Sequence, residues 1–132
     1  MTTTKIPILI EAELTNEFFS DVLTTALEGG SNYWIDHITI TTVPPRAKPK
    51  EIPTTEWAGI AINSGGNIKI VSTEDDKTLT KLTLAKGVML WAKQFPRNIS
   101  FGDGNILDAS NIDASDADCI LQYALFDKLI FG

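Results

Sequence analysis

Cysteine is almost missing from this chain. Its 132 residues hold one, Cys119, so no disulfide can form within it, and the composition suits a reducing cytosol. Histidine is equally scarce, with His37 alone. One residue of each type is too few for a zinc cluster without carboxylates. Positive charge is short as well: 11 Lys and Arg stand against 17 Asp and Glu, a net charge of −6. Nucleic acid phosphates repel such a chain unless a local basic patch overrides the whole, so direct nucleic acid binding is not expected. Long apolar runs are also missing. Gly87 to Ala92 falls far short of the roughly 20 residues of a membrane span. The run Ile6–Ile10 is too short for a signal-peptide core and is broken by Pro7. Neither membrane insertion nor secretion is expected.

Phosphate cradles are missing too. There is no P-loop, no GxGxxG and no nucleophile elbow. Gly29-Gly30 follows a helical pattern, whereas phosphate-binding glycines precede one. Asn63-Ser64-Gly65-Gly66 reads as turn chemistry.

What is present is a globular composition, 43% hydrophobic and 21% charged. The length fits one domain, residues 1–132, with a core that needs no staples. Ile6, Ile8 and Ile10 alternate as in a strand, and Pro7 places that strand at an edge. Thr15 or Asn16 caps a helix whose face is Phe18, Phe19, Val22, Leu23, Ala26 and Leu27, and Gly29-Gly30 stops it. Residues 33–43 read as a second strand, with Trp34, Ile38 and Ile40 on one face and Tyr33, Ile35, His37 and Thr39 on the other. Ala58, Ile60 and Ile62 alternate in a third, paired through Asn63–Gly66 with a fourth at Ile68 and Ile70. A fifth covers 77–81.

A second helix spans 83–95, capped by Thr83 and ended by Pro96. A third begins near Ser115, with Ser115 and Asp118 as its capping box. The expected fold is α+β, in the order β-α-β-β-β-β-α-α. Its mostly antiparallel sheet has four to five strands, with three helices on one face.

Chemistry is harder to find. A Cys119/His37 dyad needs a base held beside a thiolate. A helix-borne cysteine beside buried positions and a mid-strand histidine read instead as packing and surface. Glu11 and Glu13 read as an exposed strand face. Five aspartates fall between Asp103 and Asp118 with no Lys or Arg among them, but the spacing is not that of an EF-hand and no closing glutamate follows. No catalytic residue, metal site or cofactor is expected.

Two surfaces remain as partner contacts. One is acidic: Asp103, Asp108, Asp113 and Asp116. The other is the basic, proline-rich loop bearing Arg46, Lys48 and Lys50. If helices cover only one face of the sheet, Trp57 and Tyr33 are exposed on the other, as a binding strip or a homodimer face.

Two segments carry a resemblance. They are Leu23-Thr24-Thr25-Ala26-Leu27-Glu28-Gly29-Gly30 with Tyr33-Trp34, and Ala117-Asp118 with Ile120-Leu121-Gln122-Tyr123-Ala124-Leu125-Phe126. Together these resemble an uncharacterised family of small acidic proteins encoded by bacteriophages and other mobile elements. The middle of the chain, including the proline-rich loop, matches poorly. The resemblance implies an accessory protein acting in a bacterial cytoplasm; it implies no reaction. The expected function is non-enzymatic binding and inhibition of a host defence protein, such as a CRISPR effector, by an acidic face that competes with nucleic acid. The alternative is a small-molecule or nucleotide-signal binder that sequesters its ligand between exposed aromatics.

Overall fold

Thr15 makes the first helix possible. In the computed structural model, which describes residues 1–132, its hydroxyl accepts a hydrogen bond from the Phe18 amide at 3.0 Å and caps α1 (Asn16–Thr25). Phe18, Phe19, Val22 and Leu23 turn inward. The helix then widens into a π turn (Ala26–Gly30), closed by Ser31 N–H donating to the Ala26 carbonyl at 2.8 Å. Gly30 backs directly onto the Ala114 carbonyl, where a side chain has no room. This turn therefore ends the helix as Gly29-Gly30 suggests, and also serves as a docking point.

β1 (Ile35–Thr41) follows, with a bulge between Ile35 and His37. The bulge re-aims the strand, so Ile35 packs against the core rather than sharing the outer face with His37 and Thr39.

Two expected strands are absent. Residues 1–11 have no regular secondary structure and join no sheet; the nearest bridge is Glu13 to Ile106, and Ile6, Ile8 and Ile10 stay exposed. The alternation there is genuine, but no strand edge lies beside it. Residues 58–62 are helical: α2 spans Thr54–Asn63. Ala58, Ile60 and Ile62 fit period two, yet Trp57, Ala58, Ala61 and Ile62 fit a helical stripe equally well, and these four are buried. Asn63–Gly66 is thus a helix stop rather than a hairpin turn. Gly65 takes a φ of 91°, and Gly66 N–H reaches back to the Ala61 carbonyl at 2.9 Å.

The sheet has three antiparallel strands in the order β1-β2-β3, adding β2 (Asn67–Ser72) and β3 (Asp76–Leu79). Ile68 faces Ile40 on one side and Leu79 on the other. Four α-helices accompany the sheet, so the α+β class holds with fewer strands and more helices than the pattern suggests. α3 (Lys81–Gln94) is capped by Thr80, with Thr83 as the reciprocal partner of the capping box. α4 (Ala114–Phe126) is capped by Asp113 and Asp116. Both boxes lie two or three residues ahead of the expected caps, which frees Asp118 for another task. α3 and α4 pack closely where Gly87 meets the Ile120 carbonyl and the Ala124 methyl. One continuous apolar core joins the helices to the inner residues of the sheet.

Candidate functional site

Asp118 lies one turn into α4 and is 8% exposed. No cation neutralises it; four neutral donors do the work instead. Oδ1 accepts from Ser31 Oγ at 2.8 Å and Trp34 Nε1 at 2.7 Å. Oδ2 accepts from Tyr33 OH at 2.8 Å and Gln122 Nε2 at 3.0 Å. A carboxylate offers about four lone-pair positions, and four donors fill them. Gln122 extends the network: its Oε1 accepts the backbone N–H groups of Ile130 and Phe131, both at 2.9 Å. Phe131 in turn stacks on Trp34 with centroids 4.8 Å apart. The turn after α1 and helix α4 therefore meet through Ser31, Tyr33, Trp34, Asp118 and Gln122.

A cleft of about 490 Å³ opens over this network, walled by Gly29, Gly30, Ser115, Cys119 and Leu129. Most of the Tyr33 ring is exposed, but its hydroxyl turns onto Asp118. Loss of water around that hydroxyl, then the Asp118 hydrogen bond and its charge, push the phenol up to about 12. Burial, followed by the charges of Asp118, Asp116 and Asp113, raises the Cys119 thiol above its usual range. A thiol held protonated is a poor nucleophile. His37 is exposed on β1 and bonds Asp36 at 2.9 Å; no hydrogen bond joins it to Cys119.

The acidic stretch divides into two groups. Asp113 and Asp116 are occupied at the start of α4. Asp113 Oδ1 accepts from the Asp116 amide at 2.8 Å, and Asp116 Oδ1 accepts from Asn98 Nδ2 at 2.8 Å and Trp91 Nε1 at 3.2 Å. Asp108 belongs to a second group. It caps its own turn through the Ser110 amide and hydroxyl, which in that order lower its carboxyl below the usual range. It also faces α1 across a hollow of about 210 Å³ shared with Glu17 and Asp21. Burial, then the charges of Glu17 and Asp108, raise the Asp21 carboxyl. Asp103 is exposed on the same loop.

The protein's three lysine–carboxylate ion pairs involve Asp75, Asp76 and Asp127, so no Lys or Arg compensates either acidic group. No cluster of three or more His, Cys, Asp or Glu has metal-binding geometry.

Of the remaining sequence candidates, Trp57 lies in α2 and Arg46 packs on it. Trp57 is 3% exposed, contrary to the expected outward strip, because residue 57 falls on the buried stripe of a helix. The Arg46 guanidinium covers its ring at 4.7 Å. Lys48 Nζ donates to the carbonyls of Pro49 and Ile52, while Lys50 is exposed. Trp57 and Tyr33 thus do not form one exposed aromatic surface.

No family model, curated protein or solved structure matches this chain. Helix α4 reads plainly in the sequence as an apolar stripe, but Asp118 falls on that stripe. Its position among Ala117, Ile120 and Leu121 is the one signal that separates it from the solvated aspartates before it.

Proposed function

We propose that this chain is a non-enzymatic binding protein that occupies a positively charged surface on a host defence protein, such as the nucleic-acid groove of a CRISPR effector. The observation that carries the reading is the uncompensated acidic group of Glu17, Asp21 and Asp108 beside exposed Asp103. Burial raises the Asp21 carboxyl first, and the like charges of Glu17 and Asp108, brought near it without a counterion, add to that. A basic partner would relieve it, and complementary charge speeds and orients docking. The resemblance to mobile-element proteins supports a defence protein as the target. The loop bearing Arg46, Lys48 and Lys50 forms a secondary contact.

Affinity capture from a bacterial host, followed by mass spectrometry, tests the reading. A stable partner with a basic surface is expected, and its capture should fall with added salt. The double charge reversal Asp103→Lys, Asp108→Lys should abolish capture. Recovery of no stable partner, or a reversed variant that binds unchanged, refutes the reading.

The cleft beside Tyr33 favours a small ligand as a second reading. Two findings weaken it: Trp57 is inside, and the lone pairs of Asp118 are already taken. Native mass spectrometry of protein from infected cells decides it, since a bound small molecule would appear as an added mass.

A further inference from the structure

The first ten residues make no hydrogen bond to the rest of the chain, and they are exposed throughout. Yet they are among its most apolar residues. Ile6, Ile8 and Ile10 are 71%, 70% and 62% exposed, and Leu9 is 96% exposed. Four large aliphatic side chains in one exposed arm are a patch that needs covering.

The same chain carries an edge that needs a strand. β1 has a neighbour on one side only. Its core-facing Ile38 and Ile40 are half-buried, while Ile70 and Ile68 beside them on β2 are 1% and 0% exposed. The outer flanks of Ile38 and Ile40 are therefore bare. β1 is seven residues long; Asp36 and the bulge lie at its start, and residues 37–41 carry no lysine, proline or acidic side chain to blunt the edge. The opposite edge, β3, is four residues long and bears Lys77, paired with Asp75.

Arm and edge match. Residues 4–10 equal β1 in length, and Ile6, Ile8 and Ile10 repeat with the period of Ile38 and Ile40. If the even residues bond to β1, Pro7 points its missing N–H to solvent, the place where an edge strand tolerates proline. Lys5 is the only charged side chain before Glu11, opposite in sign to the net −6 of the whole.

No hydrogen bond or bridge joins the arm to its own β1. Glu13 is tied to Asn105 and Leu107, the loop that faces Glu17 and Asp21. α2, which packs on β1, meets α1 at Asn16 and Ser20, the face next to that of Glu17 and Asp21. A second copy offers the same unpaired β1 edge.

We propose that two copies exchange these arms, each adding one strand to the β1 edge of the other. The arrangement is reciprocal and closes on itself as a two-fold dimer. Light scattering coupled to size exclusion, across a wide range of concentration, tests it. The full chain should show twice the 14.4 kDa chain mass. Deletion of residues 1–10, and separately Ile6→Lys, Ile8→Lys, Ile10→Lys, should halve that mass. Both variants should keep the native circular dichroism, because the arm supports nothing in its own fold. Amide exchange in residues 37–41 should be slower in the dimer than in the deletion variant.

A full chain at single mass overturns the proposal, whether its arm is free or docked on its own edge. So does a dimer that survives both variants, or one whose β1 exchange is unchanged by the deletion, since the arms would then pair with each other. None of these readouts depends on the acidic group.

Discussion

Replacing Asp118 with asparagine exchanges one carboxylate oxygen for an amide nitrogen and tests the logic of the buried network. The Asp118→Asn side chain would keep the shape. Its carbonyl oxygen could still receive Ser31 Oγ and Trp34 Nε1, which now reach Oδ1. Its new amide would face two groups that are donors at present, Tyr33 OH and Gln122 Nε2. The tyrosine hydroxyl can rotate and accept. Gln122 cannot reverse its amide, because Oε1 holds the amides of Ile130 and Phe131. Losing a hydrogen bond to a charged group costs about 1.5–3 kcal/mol, and Gln122 Nε2, left with its longer contacts to the Tyr33 hydroxyl at 3.3 Å and the Phe131 carbonyl at 3.4 Å, adds part of the about 1–3 kcal/mol of an unpartnered buried donor. Burying a neutral amide in place of a charge offsets part of this. A net loss of about 3 kcal/mol follows, a large fraction of the roughly 5–15 kcal/mol typical of a domain. For a chain of this size each kcal/mol lowers Tm by about 4 °C, so the drop should be about 12 °C. Urea and thermal unfolding measure it, and hydrogen exchange at Ile130 and Phe131 should quicken at the same time. A loss under about 1 kcal/mol, or unchanged protection of those two amides, would refute the account of Gln122 as a fixed donor.

Other outcomes follow from the same geometry. Gly87→Ala places a methyl on the Ile120 carbonyl and should cost about 1–3 kcal/mol in urea unfolding, as overpacking does. The Tyr33 phenol is pushed up to about 12 from 10.0. Folding therefore favours its neutral form, and this contribution is complete below about pH 10 and lost as the pH rises toward 12. Ultraviolet titration should show the late ionisation, and Tyr33→Phe should flatten the decline in stability over that window. The raised carboxyl of Asp21 has the same sign, so its contribution is lost above the ordinary value of 3.8 and the charged form is a burden at neutral pH. Asp21→Asn should stabilise slightly, by no more than about 0.5 kcal/mol at this screened surface, and less at high salt.

The first helix, its apolar face and its glycine stop are legible in the sequence because three features agree: cap, period and breaker. α2 is not. Five residues of alternating Ala, Gly and Ile satisfy both periods, and only packing between α1 and the sheet chooses the helix. That choice turns Trp57 inward and removes the expected aromatic strip. The N-terminal alternation has the period of a strand, but a strand exists only beside an edge, and edges are tertiary facts. The acidic stretch is visible as a run, while its division is not. Which aspartates cap a helix, and which one is buried, depends on where α4 starts to within two residues. A shift of that size separates a solvated cap from the centre of the network.

The Asp118 network also constrains the order in which the chain can fold. Ser31, Tyr33 and Trp34 are separated from Asp118 by 84–87 residues of sequence. Closing a loop of that length costs about 4 kcal/mol of chain entropy before the first of these bonds forms. Local elements can assemble earlier: α1 against α2, and the β2–β3 hairpin. The indole of Trp34 and the hydroxyl of Ser31 must remain in water until α4 arrives. Conservative changes at Asp118 should then speed unfolding and leave the folding rate nearly untouched, with φ-values near zero. A ribosome-bound chain lacking its last twenty or so residues would hold an apolar face with nothing yet to close over it.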